Sequence, residues 1–157
     1  MIRLRTGGAG DARELAALFT ASVHELGKAY YDDEQRRAWA SPEPDLARWQ
    51  DRLAALNVLV AGRNGQTAGF IAFTPDGYID LLFTAPAHAR HGVARALFLA
   101  AERHLHALGT YDLHTHASRV ARPFFEQVGF TVLAPETVDR DGVALERFAM
   151  RKCAAPA

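Results

Sequence analysis

One stretch in the middle of the chain restricts the fold more than any other. Residues 78–116 begin with the apolar run YIDLLF, continue with helical periodicity and end in the alternating YDLHTH. The helical part carries an apolar stripe, formed by Val93, Leu97, Ala101, Leu105 and Leu108. Gly109 is placed to end this helix. A strand–helix–strand unit of this kind predicts a right-handed crossover, which makes its two strands parallel neighbours.

The N-terminal third of the chain is mainly helical. IRLR at 2–5 alternates like a short strand, and the apolar stripe that follows predicts a helix ending at Gly27. Asp11 and Glu14 have the spacing of a capping box at its start. DDEQRRAWA, stopped by Pro42, and DLARWQDRLAAL predict two shorter helices.

The remaining segments predict strands around tight turns. Strands at about 57–62 and 67–74 are joined by Asn64-Gly65, a strong hairpin signal, and a third follows at about 78–84. ARPFFEQVG predicts a short helix, and FTVLAPETV and GVALERFAMR predict a final hairpin across Asp141-Gly142. The order indicates one α/β domain, with a mixed central sheet of about seven strands and flanking helices.

The parallel pair of strands also predicts where a ligand binds. Two parallel neighbours that no third strand closes can splay apart, and ligands of such sheets bind at the carboxyl ends of the strands. Gly92 lies just before the long helix, between Arg90 and Arg95. Free amides and the helix dipole favour an anion at a helix N-terminus, but a lone glycine also serves a simple turn. The chain contains neither GxxxxGK[ST] nor GxGxxG.

Charge and cysteine content restrict the partners and the compartment. Eighteen basic residues balance eighteen acidic ones, so no global field favours nucleic acid or an anionic membrane. Cys153 is the single cysteine, which excludes an internal disulfide and suits a reducing compartment. With no apolar run of membrane-spanning length and no signal-peptide core, we expect a cytoplasmic protein.

Two segments at the right separation resemble the Gcn5-related N-acetyltransferase (GNAT) superfamily. YIDLLFTAPAHARHGVARALF is similar to its strand followed by Q/R-x-x-G-x-G/A, and HASRVARPFFEQVGF to its N-x-x-A-x-x-F-Y-x-x-x-G-F. The resemblance runs from about Ile2 to Met150 and implies the acyl-CoA N-acyltransferase fold. It implies a GNAT domain over 1–152, a tail over 153–157, and acetyl-CoA as co-substrate without a metal. The ending GVALERFAMRK resembles a bacterial subgroup whose substrates are mostly unassigned.

The resemblance also implies which residues contact coenzyme A. The pyrophosphate loop would comprise Ala89, Arg90, His91, Gly92, Val93 and Ala94, with Arg95 as a further local charge. Leu82, Phe83 and Thr84 match the segment whose backbone pairs with the pantetheine arm. In the second motif Ser118, Ala121, Phe124 and Phe125 occupy the Asn, Ala, Phe and Tyr positions.

Two positions depart from the family pattern. Ala89 stands where Gln or Arg is usual, although backbone contacts to phosphate do not need that side chain. Phe125 stands where many relatives carry a tyrosine proposed to protonate the departing thiolate, and a phenyl ring has no proton to give. Either the thiolate leaves without that help or another donor substitutes, and we expect Phe125 to pack against coenzyme A.

Asp80 and His116 are the candidate catalytic residues. An acid within YIDLLF is costly to bury unless it is hydrogen-bonded or functional, so Asp80 is either a base or a carboxylate bonded to a neighbouring strand or helix. His114 and His116 alternate onto one strand face beside the expected slot, where His116 suits a base or a substrate ligand. A metal needs a third ligand, which the sequence does not indicate, and an ordinary sheet histidine is the remaining interpretation.

The helical region before the sheet should border the acceptor. Its candidate substrate-binding residues are His24, Tyr30, Tyr31 and Trp39, which could equally anchor helices. The resulting hypothesis is an N-acetyltransferase acting on a primary amine of a small molecule or peptide, by direct attack in a ternary complex. A non-catalytic acetyl-CoA-binding or sensor module and the use of another acyl-CoA are the alternatives. The edges of the terminal hairpin would allow a homodimer.

Overall fold

A computed structural model describes residues 1–153. Its strands are β1 (Ile2–Gly7), β2 (Asn57–Arg63), β3 (Gln66–Phe73), β4 (Tyr78–Thr84), β5 (Asp112–Ser118), β6 (Thr131–Arg140) and β7 (Val143–Cys153). Its helices are α1 (Ala12–Leu26), α2 (Asp33–Trp39), α3 (Leu46–Ala54), α4 (Val93–Ala107) and α5 (Arg122–Gln127). Residues 154–157 of the predicted tail lie outside the described residues, and Cys153 is the last residue of β7.

The seven strands form one mixed sheet in the order β1-β2-β3-β4-β5-β7-β6. All neighbouring pairs are antiparallel except β4 and β5, which α4 connects as a parallel crossover. The α/β fold class and the strand order along the chain are therefore confirmed. Asn64-Gly65 and Asp141-Gly142 both have positive φ at their two residues, as a tight two-residue hairpin turn requires.

Helices cover the sheet on both faces. On one face, which we call the α4 face, buried residues of the sheet pack against α4 and α5 around Phe98 and Leu113. On the other, the α1 face, they pack against α1 and α3 around Leu15 and Phe70. None of the helices in residues 1–153 is long and apolar enough to cross a membrane.

A β-bulge in β4 corrects one expectation. Simple alternation predicts that Ile79, Leu81 and Phe83 share a face. Phe73 instead pairs with Ile79 and Ala72 with Leu81, so Asp80 is an extra residue without a β3 partner. As a result Ile79 packs on the α4 face, whereas Leu81 and Phe83 pack on the α1 face. A bulge redirects the side chains that follow it, and bulges are frequent beside active sites.

The capping box predicted for α1 is wrong. Asp11 does occupy the N-cap position, but its side chain makes no bond to the helix. Its carboxylate instead accepts hydrogen bonds from the Arg5 guanidinium at 2.8 Å and from the Gly8 amide at 3.0 Å. The Arg5 guanidinium lowers the pKa of Asp11. A charged donor is a stronger partner than a neutral amide, which explains why the side chain turns away from the helix.

Candidate functional site

The parallel strands β4 and β5 separate soon after they begin. Their ladder contains only the pairs Tyr78–His114 and Ile79–Thr115. Beyond these pairs the two strands diverge, and we call the resulting gap the fork. Asp80 and His116 are the next residues on each strand, so the two predicted catalytic residues stand on opposite sides of the closed end of the fork. The fork is the slot that the sequence predicts.

A cleft of about 1030 Å³ passes through the fork. Its wall includes Ala121 and Phe125 from the α4 face and Phe19, Trp39 and Trp49 from the α1 face. Two molecules that enter from opposite sides of the sheet can therefore meet inside it.

The predicted pyrophosphate loop leads into α4. Gly92 is the N-cap residue of α4, with φ +82°, and a Cβ atom added there would meet nothing within 4 Å. Arg90 also has a positive φ, 62°, which is uncommon for a residue with a side chain. Arg90, His91, Gly92 and Arg95 are exposed. The start of α4 is thus exposed and is flanked in the chain by two exposed arginines, an arrangement that suits phosphates.

A buried histidine anchors this loop to the sheet. His88 is only 4% exposed, and its Nδ1 accepts a hydrogen bond from Arg63 at 3.1 Å while its Nε2 donates to Gln66 Oε1 at 2.9 Å. Arg63 also donates to Nδ1 of His91 at 3.3 Å. Arg63 and Gln66 of the β2–β3 hairpin therefore anchor the loop to the sheet. Sequence reasoning did not predict these contacts. The two histidines are separated from Arg63 by more than twenty residues.

Asp80 is held by a helix. Both of its carboxylate oxygens accept hydrogen bonds from the Arg52 guanidinium of α3, at 2.9 and 3.1 Å. The guanidinium therefore occupies both carboxylate oxygens with charge-assisted hydrogen bonds. Of the two interpretations of Asp80, the structure shows the hydrogen bonds of the second, a carboxylate bonded to a neighbouring helix. Its role as a base stays a prediction.

His116 lies among ionisable groups. The Tyr78 hydroxyl is 2.9 Å from its Nδ1, and Glu136 Oε1 of β6 is 3.6 Å from its Nε2. Burial and then the Arg147 charge lower the pKa of His116, against an opposite effect of Glu136. His114 lies on the same side, with its ring 5.1 Å from that of Tyr78. Among residues 1–153 no group of three His, Cys, Asp or Glu side chains is arranged to hold a metal ion.

The second motif forms the α4-face wall of the cleft. Ser118 accepts a hydrogen bond from the Ala121 amide at 3.1 Å and fixes the turn into α5. Phe125 is 3% exposed and contacts Phe124 and Phe130 edge to face, and it lines the cleft. Leu82 and Phe83 of the predicted pantetheine segment line the cleft as well.

The four predicted acceptor residues separate into two pairs. Tyr31 and Trp39 line the cleft, and the buried Tyr31 hydroxyl bridges the Glu146 carbonyl at 2.8 Å and the Arg119 amide at 2.9 Å. His24 and Tyr30 lie outside the cleft wall. His24 bonds to the Ala40 carbonyl, and Tyr30 lies under the Arg119 guanidinium.

Sequence reasoning missed several residues of the cleft. Tyr78, Trp49 and Arg52 line it, and so do residues of the β6–β7 hairpin, including Glu146 and Arg147. An aromatic residue two positions before the acidic Asp80 was the only local signal for Tyr78. No local sequence pattern indicated that the β6–β7 hairpin lines the cleft, because its position beside β5 follows only from the order of strands in the sheet.

This fold, with its fork between two parallel strands, defines the class of acyl-CoA N-acyltransferases. Comparisons with known proteins agree. A model of the acetyltransferase (GNAT) domain matches residues 28–152. The chain is 35% identical over 150 residues to the uncharacterized N-acetyltransferase YafP of Escherichia coli (strain K12), covering 96% of this chain and 95% of that protein. The chain belongs to the GNAT acetyltransferase family.

Solved structures show the same fold. A GCN5-related N-acetyltransferase from Rhodopseudomonas palustris, also described as an aminotransferase of class II, superposes with a TM-score of 0.92 at 32% identity, covering 97% of this chain and 95% of that one. The PaiA N-acetyltransferase from Thermoplasma acidophilum, in complex with coenzyme A, gives 0.72 at 20% identity over 98% and 99% of the chains. The predicted family and fold are confirmed.

Proposed function

We propose that this protein transfers an acetyl group from acetyl-CoA to a primary amine of a small molecule or peptide, by direct attack in a ternary complex. The observation that carries the proposal is the cleft through the fork, whose wall includes residues from both faces of the sheet. A thioester entering from the α4 face and an amine entering from the α1 face would meet there without a covalent intermediate. Holding both reactants in one geometry supplies much of the rate gain in such a reaction.

Coenzyme A fits the residues of the α4 face. Its phosphates would bind the amides around Gly92, with Arg90 and Arg95 as nearby charges. Its pantetheine arm would lie along Leu82–Thr84, where β4 has no β5 partner, and would pair with the exposed strand edge as an added strand does. Phe125 would form an apolar wall of the channel. The coenzyme A complex of the similarly folded PaiA protein supports this assignment.

The acceptor would bind on the α1 face. Trp39 and Trp49 give this part of the cleft aromatic surfaces, and charged residues of both signs surround them. Arg48 and Arg52 come from α3, and Asp45 and Asp51 are the acids nearest to them in the chain. This mixture suits a small molecule that combines an amine with an apolar or acidic part.

An amine panel with thiol detection tests the proposal. We expect acetyl-CoA to release free thiol only when a suitable amine is present, among diamines, amino acids, aminosugars and short peptides. A longer acyl-CoA in parallel reports which donor is preferred. Phe125, which has no proton for the leaving thiolate, favours the alternative of a non-catalytic acetyl-CoA-binding module. Coenzyme A binding without thiol release for any amine would establish that alternative.

Asp80→Asn separates the two interpretations of Asp80. Because Arg52 already holds both carboxylate oxygens, we expect the variant to lower kcat about tenfold or less through a displaced Arg52, and to leave the acidic limb of the pH–rate profile in place. Arg52→Gln, which removes the partner and keeps the carboxylate, should reduce kcat to a similar extent. If the acidic limb moves in Asp80→Asn alone, Asp80 is the base.

A further inference from the structure

Three side chains form a row from the fork to the surface, which we call the Tyr78 row: Tyr78, His116 and Glu136. Tyr78 and His116 line the cleft, and their contact is the hydrogen bond of 2.9 Å between the hydroxyl and Nδ1. On the other side of the ring, Nε2 faces Glu136 Oε1 at 3.6 Å. The Glu136 side chain is 36% exposed, so the row ends in solvent.

The two ends of the imidazole define its tautomer. Glu136 Oε1, at 3.6 Å from Nε2, is beyond hydrogen-bond distance, but its negative charge favours the tautomer that carries the proton on Nε2. Nδ1 then accepts, and the Tyr78 hydroxyl donates to it. Burial, and then the charge of Asp80, raise the pKa of Tyr78, which keeps the phenol protonated and able to donate. Each hydrogen-bond donor of the Tyr78 row therefore points away from the fork, so the row is oriented to move protons from the fork towards solvent.

Burial, and then the positive charges around the row, keep the histidine neutral. Arg147 lies beside it and donates to Glu136 at 3.1 Å, and the pKa of His116 is lowered from 6.5. His114 acts in the same direction, whereas Glu136 opposes it. At neutral pH the ring can therefore accept a proton. Asp80 is the nearest other acid on the fork, but Arg52 occupies both of its oxygens.

We propose that the Tyr78 row removes a proton from the acceptor amine and delivers it to solvent, which assigns a catalytic role to Tyr78. This inference rests on the proposed acetyl transfer. The ammonium form of the amine gives a proton to the Tyr78 oxygen while the phenolic proton passes to Nδ1 of His116. The Nε2 proton then leaves to Glu136 or to water, so one proton is released. The ring is left with its proton on Nδ1 and must return to the Nε2–H tautomer by proton exchange with solvent before the next turnover.

The acetyl transfer that follows needs no further acid from the Tyr78 row. The neutral amine nitrogen attacks the thioester carbonyl carbon, the C–N bond forms and the C–S bond breaks. The electron pair of that bond leaves with sulfur, and the second amine proton neutralises the thiolate through water. The products are the amide, free coenzyme A thiol and the proton that left through the row. In this scheme the leaving thiolate needs no proton from the side chain at position 125.

The test compares Tyr78→Phe with Tyr111→Phe, a matched loss of one hydroxyl on a tyrosine that stacks on His106 away from the cleft. With the amine that releases most thiol in the panel, we expect Tyr78→Phe to lower kcat/KM about 100-fold at neutral pH, a typical contribution of a proton-transfer group. Its activity should keep rising with pH towards the pKa of the free amine, whereas the wild type reaches a plateau. The KM for acetyl-CoA and the activity of Tyr111→Phe should stay unchanged.

A second variant and a second measurement make the outcome decisive. His116→Gln should show the same pH profile as Tyr78→Phe, and nitrogen NMR of the wild type should show a neutral His116 with the proton on Nε2. If the pH–rate profile of Tyr78→Phe keeps the plateau, or if the His116 proton is found on Nδ1, the proposed role of the Tyr78 row is wrong. Thiol release by the wild type with no amine of the panel would instead contradict the proposed function.

Discussion

Gly92→Glu should abolish detectable binding of coenzyme A. The added carboxylate would stand at the start of α4, where the phosphates are proposed to bind, and like charges at such contact cost several kcal/mol. Because about 1.4 kcal/mol corresponds to a tenfold change in affinity, we expect a loss of at least about 100-fold. Calorimetric titration with coenzyme A measures it directly.

Gly92→Gln is the control for the charge. It places a side chain of the same size at the same positive φ without the negative charge, and the position opens to solvent. Both variants therefore carry the same backbone strain, about 1–2 kcal/mol, and should melt at similar temperatures. We expect Gly92→Gln to bind coenzyme A more tightly than Gly92→Glu by at least about tenfold. Equal, wild-type affinity in both would exclude this loop as the phosphate site.

Gly77→Ala should strongly destabilise the closed end of the fork. Gly77 has φ +99°, and a Cβ atom there would lie 2.3 Å from the Asp112 carbonyl oxygen. Its own carbonyl accepts the His114 amide at 3.0 Å at the closed end of the fork. The left-handed backbone and the clash each cost about 1–3 kcal/mol, so we expect the free energy of unfolding to fall by about 3 kcal/mol or more.

Gly109→Ala separates the two causes. Gly109 also has a positive φ, +83°, but a Cβ atom there meets nothing within 4 Å. It should therefore lose only the cost of the left-handed conformation, about 1–2 kcal/mol. Urea denaturation of both variants gives the comparison. If both variants lose the same free energy of unfolding, the close approach of Gly77 to Asp112 of β5 does not constrain the closed end of the fork.

Local sequence signals account for most of the fold. Asn64-Gly65 and Asp141-Gly142 predict turns because their residues accept positive φ, and both turns are present. The apolar period of 93–107 predicts α4, and α4 between two strands predicts the parallel pair that opens into the fork. These features depend on residues close together in the chain, which is why the sequence alone predicts them.

The chemistry of the fork depends on distant pairs. Asp80 lies in a bulge that exists only because β4 pairs with β3 out of simple register, and no pattern in YIDLLFT indicates it. Arg52 reaches Asp80 across 28 positions, and His116 reaches Tyr78 across 38. Sequence spacing therefore predicted Asp80 and His116 as candidates but not the groups that decide what each of them can do.

Transfer of a labelled acetyl group tests the central claim most directly. The protein would be incubated with deuterium-labelled acetyl-CoA and the best amine of the panel, and the products analysed by mass spectrometry, with Gly92→Glu as the control. We predict labelled acetyl on the amine nitrogen, formed in equal amount to free coenzyme A thiol and absent with the variant. Tight binding of acetyl-CoA by the wild type with no labelled product for any amine would contradict the claim.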